Sequence, residues 1–464
     1  MRYGGLAGAL LLALAGARFG QHSVAQPAWL AGTVLLAGAW LVLGRRLAGV
    51  RLRWLVLTGA LWALPVLLSL PLSSRDVYSY ACQGALVAHG VDPYTHGVAS
   101  LPCPWLSTIS HTWRSTTSPY GPLWLIVAGG AASSHRLALT VGLLRVVALA
   151  GMALVGWAGH RLARALGADP VRAAWLGLVS PLVVVHALSG AHNDALLAGL
   201  VMAGLLVAVA PPDRLAPMAR PLLAGGVLGL AVAVKATAVV VLPFLVLLLA
   251  ADRRWWPLVR TGAVAAAGAV GAYGLLWALT GYGLGWLPSL SQTARGVIEW
   301  TSVPTGLGLG AAKVLYHTGH PDLARHMVAA FRAGGLVVLA AVLVGLWWWA
   351  RRRTRPEQVL GATGAALVAT VVLAPVAFPW YALVAQAVLA YGITDDRLRY
   401  RLGLVVAPAM LLILPSGQGI AGIYRSPGYL LDGLLVLGAA AWLAWRLRAH
   451  LHSRRHELVD VPGS

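Results

Sequence analysis

Acidic residues are scarce in this 464-residue chain: 14 Asp and Glu stand against 35 Lys and Arg, and Lys occurs only at Lys235 and Lys313. Charged residues of either sign make up 11% of the chain, where soluble domains carry about a quarter. With 59% hydrophobic residues and a mean hydropathy of +0.76, that scarcity excludes a soluble globular protein. It also changes the meaning of the net charge of +21. Between apolar runs, excess Arg belongs to cytoplasmic turns under the positive-inside rule, so no nucleic-acid partner is expected. The outer-face histidines lack tight ligand spacing. Only His317 and His320 fall three apart, and no metal is expected. No small-residue cleavage site follows the first apolar stretch, which reads as a retained helix.

What is present is a succession of apolar runs of membrane-crossing length. They fall at 4–17, 27–43, 54–72, 137–159, 173–188, from 194 to about 211, 261–280, 333–350, 358–374, 380–393, 402–415 and 429–445. The stretch 221–250 is long for one helix and has Lys235 at its centre; helix parity favours two short helices with Lys235 at the outer turn. Arg45, Arg46, Arg51 and Arg53, the run Arg351–Arg353, and the basic tail mark the cytoplasmic side. The expectation is an all-α, multi-pass plasma-membrane protein, one domain over 1–464, with about fourteen transmembrane helices. Two segments are too polar to cross: a first extracytoplasmic loop over 73–136, with a surface helix at 77–89 and a short interfacial stretch opening at Tyr120, and a second over 281–332.

Sorting the carboxylates by side locates the chemistry. Asp169, Asp213, Asp252, Glu357, Asp395, Asp396, Glu457 and Asp460 sit in basic cytoplasmic turns, and Asp432 lies inside the last helix. Asp76, Asp92, Asp194, Glu299 and Asp322 fall on the outer side. Asp76 is the first acidic residue of the chain and follows an apolar run directly. It reads equally as a helix N-cap paired with Arg75 and as a general base. Asp194 closes His192-Asn193-Asp194 at a helix start, where a cap and a sugar or phosphate site are both open readings. Lys235, flanked by Ala and Val, suits a phosphate anchor. The outer Trp and Tyr residues fit interfacial anchoring better than a sugar-stacking platform. Cys82 and Cys103 share the first loop, and a disulfide and two free thiols stand as equal readings.

Read together, Ser74-Arg75-Asp76-Val-Tyr-Ser-Tyr80, Gln83-Gly84, Gly90-Val-Asp92-Pro93-Tyr94 and Ser118-Pro-Tyr120-Gly-Pro122-Leu-Trp124 form an ordered set. It continues through Gly190-Ala-His192-Asn193-Asp194, Gly229 to Lys235, and Phe378-Pro-Trp380-Tyr381. The set resembles the GT-C glycosyltransferases that use polyprenyl-phosphate sugars, above all the actinobacterial polyprenol-phosphate-mannose-dependent α-1,6-mannosyltransferases. The two helices ahead of the Asp76-bearing one exceed the minimal pattern of that superfamily.

The resemblance implies an inverting transfer of a sugar, mannose first, from a polyprenyl phosphate to a hydroxyl of an envelope glycan or glycolipid, without cofactor. It implies Asp76 as the base. Lys235, Arg75, Arg295 and Arg425 become the candidates for the donor phosphate. Tyr80, Gln83, Asp92, Tyr94, Trp113, Tyr120 and Trp124 become candidates for sugar or acceptor, together with His192, Asn193, Asp194, Glu299, Trp300, Trp380 and Tyr381. A lipid phosphate is already a good leaving group, so one carboxylate suffices where glycoside hydrolysis uses two. The rival readings are a transporter or flippase of lipid-linked sugars, and a related enzyme with another sugar donor or a protein acceptor.

Overall fold

The computed structural model describes residues 1–415 except 19, 102, 110, 211–215 and 251, together with 428–442 and 445. Every regular element among them is helical. Five helices are long and apolar enough to cross a membrane: His22–Arg45, Leu137–Ala165, Trp255–Thr280, Pro321–Arg351 and Pro356–Leu373. A sixth crossing results if the pair Val183–Ser189 and Asp194–Val209, bent by 105°, is one span. The other apolar runs are shorter than the expected crossings, as in Arg2–Ala17, Leu52–Leu68 and Ala219–Val232.

Proline and polar insertions account for the breaks. The run 173–188 is not one helix: Pro170–Gly177 ends before Pro181, which has no N–H to continue the ladder, and the π-helical segment Val183–Ser189 follows. Residues 221–250 break as the charge pattern requires. Helix Ala219–Val232 stops, Lys235 is extended at φ −156° and ψ 137°, and a 3-10 turn Ala236–Val241 leads into Leu242–Leu249. Small residues let the pieces pack closely. A Cβ on Gly225 would lie 1.9 Å from the Ala265 carbonyl oxygen, so only glycine allows Ala219–Val232 to meet Trp255–Thr280 there.

Both expected loops are more ordered than their polarity suggests. Asp76–Ala88 is not a surface helix: Val77 and the run from Ser79 to Leu86 are buried. Gly84 brings it against Pro122–Ala132, where a Cβ would lie 2.1 Å from the Ala128 carbonyl oxygen. Pro122–Ala132 is likewise an inner element, with Trp124 and Leu125 buried. Segment 281–332 holds the helices Trp286–Gly296 and Val303–His317 and the first turns of Pro321–Arg351.

Arg145, on the long helix Leu137–Ala165, fixes the entry to the first loop. Its guanidinium donates to Leu67 O at 2.7 Å and to Ser189 O at 3.1 Å, satisfying carbonyls left open where two helical segments end.

Cys82 and Cys103 form a disulfide, which decides between the two readings of the pair. It ties the buried Asp76–Ala88 helix to the loop behind it and closes a sequence separation of 21. Removing it with Cys82→Ser and Cys103→Ser should cost roughly 3 kcal/mol. The expected readout is earlier proteolysis in segment 89–120 while the membrane helices stay intact. Two alkylatable thiols in unreduced protein would contradict the bridge.

Candidate active site

The two loops and two of the helix breaks enclose one cavity of about 440 Å³. Asp76, Ser79 and Gln83 line it from the first-loop helix, and Trp113 and Tyr120 from the strap that follows. Lys235, Ala236 and Thr237 enter from the break after Ala219–Val232. Leu290, Ser291, Thr293 and Ala294 of Trp286–Gly296 cover it, and Pro375, Val376 and Tyr381 close the far wall. Thr117 Oγ1 and Ser289 Oγ, 2.6 Å apart, join the strap to the covering helix. Ser302 Oγ and Thr305 Oγ1 donate to the carbonyls of Ala374 and Pro375 at 2.6 and 2.7 Å and hold the far wall in place.

Asp76 is the first residue of its helix, and its N–H donates to Ser74 Oγ at 3.0 Å. Its side chain is 17% exposed. Burial is the main cause that pushes its carboxyl up to about 6. The Lys235 ammonium pulls in the opposite direction and the Asp194 carboxylate adds to the rise. Lys235, which shares the cavity wall with Asp76, is the cation that favours its carboxylate form.

Lys235 donates to both carboxylate oxygens of Asp194 at 2.9 Å, and its Nζ lies 4.0 Å from the centre of the Tyr381 ring. The two charges come from chain breaks 41 residues apart, each at the start of a new helical segment. Asp194 has 2% side-chain exposure. It stands behind Lys235 and does not line the cavity.

Around this core the remaining sequence candidates divide. Gln83, Trp113, Tyr120 and Tyr381 line the cavity. Gln83 Oε1 accepts from Ser118 Oγ at 3.0 Å. Tyr80 and Trp124 form the layer behind, with Tyr80 edge-on to Tyr120 at 5.3 Å and to Trp124 at 5.0 Å. His192, Asn193 and Trp380 are buried behind Asp76 and are absent from the lining.

Most of the other candidates lie outside the lining. Asp92 shapes a turn, its Oδ1 accepting the Tyr94 N–H at 2.9 Å. Tyr94 braces the strap through its hydroxyl, which donates to Tyr120 O at 2.9 Å. Arg295 is exposed on the covering helix, outside the lining, and reaches back to Ser291 O at 3.4 Å. Arg75, Glu299 and the buried Trp300 do not line the cavity. Arg425 lies outside the described residues. His186 was not singled out by the sequence, yet it lies 5.4 Å from Trp380, ring centre to ring centre. A His inside an apolar run was the available signal.

Residues 5–251 match the family model described as "Alpha-(1->6)-mannopyranosyltransferase, N-terminal domain", and residues 304–446 match "MptB C-terminal domain". The chain belongs to the alpha-(1->6)-mannopyranosyltransferase family. It is 37% identical to alpha-(1->6)-mannopyranosyltransferase A of Mycobacterium tuberculosis, over 75% of this chain and 67% of the relative. It is 35% identical to a probable alpha-(1->6)-mannopyranosyltransferase of Mycolicibacterium smegmatis, over 79% and 71%. It is 32% identical to alpha-(1->6)-mannopyranosyltransferase A of Corynebacterium glutamicum, over 75% of each chain. The first matched region supplies Asp76, Tyr120, Asp194 and Lys235, and the second supplies the far wall with Tyr381. The covering helix Trp286–Gly296 falls between the two.

The ion pair gives this site a measurable signature. Lys235→Met strands Asp194 as a buried carboxylate, a change that costs about 3–5 kcal/mol when one partner of a buried pair is removed. Adding Asp194→Asn should recover most of that loss, read as thermal stability in detergent. A double-variant loss equal to the sum of the two single losses would show that the two residues act independently.

Proposed function

We propose that this member of the family is an inverting mannosyltransferase that takes its sugar from a polyprenyl phosphate and works at the extracytoplasmic face of the plasma membrane. The observation that carries the reading is the pairing, in one largely apolar cavity, of a buried carboxylate, Asp76, with one cation, Lys235. Transfer from a lipid phosphate needs those two groups. Asp76 takes the proton from the acceptor hydroxyl, whose oxygen forms the new bond to the anomeric carbon. The bond from that carbon to the phosphate oxygen breaks, and its electron pair leaves with the phosphate. Lys235 has three N–H donors, two of them on Asp194, and the third is suited to a phosphate oxygen. A single displacement converts a β-linked donor into an α-linked product. The apolar wall suits the first units of a prenyl chain, and the acceptor is a hydroxyl of an envelope glycan or glycolipid. Leaving-group protonation is unnecessary, which agrees with a single carboxylate in the lining.

Charge supports this side of the membrane. Arg351–Arg353 end the helix Pro321–Arg351 and belong in the cytoplasm by the positive-inside rule. Leu336 of the same helix lines the cavity, roughly 22 Å further along the axis at the rise of an α-helix. A transporter reading draws on the bent pair at Val183–Val209, a device that transporters also use. It leaves the carboxylate–cation pairing without a task.

Asp76→Asn keeps shape and hydrogen bonding but cannot take a proton. Turnover with polyprenyl-phosphate mannose should fall by about 10²–10⁴-fold while donor binding is retained. Asp92→Asn and Glu299→Gln, outside the lining, should fall far less. In wild-type protein kcat/KM should decline as pH drops through about 6, where the Asp76 carboxylate becomes protonated, and should level off above it. Wild-type turnover in Asp76→Asn would end the assignment of Asp76 as base.

A further inference from the structure

Directly behind Asp76, on the side away from the cavity, lies a buried stack of rings. The His192 imidazole lies on the Trp380 indole with centres 4.2 Å apart and planes at 17°, and Trp380 lies on Phe378 at 4.6 Å and 5°. His192 has no side-chain exposure, and neither of its ring nitrogens has a hydrogen-bond partner among the described residues. A buried imidazole with both nitrogens unmatched is costly unless a partner is close. Asp76 is close: its Oδ2 lies 3.6 Å from His192 Nδ1. The backbone is bent to make this approach: Ala191 adopts a φ of 49°, a left-handed conformation that costs free energy in a residue other than glycine.

We propose that His192 is a positioning residue for Asp76: with its proton on Nδ1, it donates to Oδ2, fixes the carboxylate plane and leaves Oδ1 to take the acceptor's proton. The inference rests on the reading of Asp76 as general base. A separation of 3.6 Å is long for a hydrogen bond, and contacts of this kind shorten when substrates fill the site. Trp380 makes the placement rigid, because an imidazole stacked on an indole cannot swing away from the carboxylate. His192 is thus moved from the sugar-binding role its sequence position suggested to a role exerted through Asp76. The other titratable groups that act on Asp76 are Lys235 and Asp194, with the phenols of Tyr80, Tyr120 and Tyr381.

The test is His192→Phe, which keeps a flat ring in the stack and removes the donor. Partners that orient a metal-ligating side chain are worth about 10–100-fold, and a fall in kcat of similar size, with donor affinity unchanged, is expected here. The acid limb of the kcat/KM profile should move to higher pH, because a carboxylate that loses a donor holds its proton more tightly. His192→Gln, which keeps an N–H donor, should restore part of both. A purely structural histidine would lower protein yield and leave the limb where it was. Where His192→Phe does not accumulate, Trp380→Leu frees the ring without removing it, and the same upward shift is expected. An unshifted limb with wild-type kcat in whichever variant accumulates overturns the inference. Asp76→Asn is assayed beside them. If it is inactive while the His192 variant is normal, only the positioning role fails. If it is fully active, the general base itself was misassigned.

Discussion

Lys235 reaches both oxygens of Asp194 at 2.9 Å, and the site depends on that contact. Each residue sits where a helical segment begins after a break. An unpaired carboxylate or ammonium at such depth would cost several kcal/mol. Paired, they join the bent span at Asp194–Val209 to the second break at Lys235 and leave the ammonium on the cavity wall. The breaks, which look like flaws in membrane-crossing helices, are what bring polar groups to one place. Irregular backbone at membrane depth is tolerated where it lines a cavity.

Asp76 arrives from a third direction. It opens a helix that the helix Pro122–Ala132 and a disulfide hold inside the protein. Its environment is set by opposing influences of known sign: burial and Asp194 favour the protonated form, and Lys235 favours the carboxylate. The resulting balance near 6 suits a base that must be ionised at neutral pH and still hold a proton once it has one. The covering helix is pinned from behind by Arg332, which donates to the carbonyls of Ala294 and Val297, and so the cavity is roofed by a fixed element.

The sequence made some of this legible and hid the rest, for physical reasons. A charge in an apolar run is conspicuous, so Asp76, Asp194 and Lys235 stood out, and the break at Lys235 followed from counting basic turns. Partnership was not legible: 41 residues separate Lys235 from Asp194, and nothing local says that they touch. The Asp76–Ala88 helix carries Ser, Tyr and Gln, which reads as surface, yet those polar groups face a cavity and a packed loop. Arg75 stood out beside Asp76 because it is adjacent, whereas Lys235, which shares the cavity wall, comes from a distant break in the chain. The expected crossing of 173–188 became broken pieces, since hydropathy registers composition and not continuity. Two cysteines in one loop allow either state, and only the fold decides.

The proposed chemistry is a single displacement on a lipid-phosphate sugar, with one carboxylate and one cation in attendance. The most direct measurement is the anomeric configuration of the product made by purified protein from β-linked polyprenyl-phosphate mannose and a mannoside acceptor, read by nuclear magnetic resonance. An α-linked mannose on the acceptor is the predicted result. A β-linked product, or transfer only from a nucleotide sugar, would contradict the account.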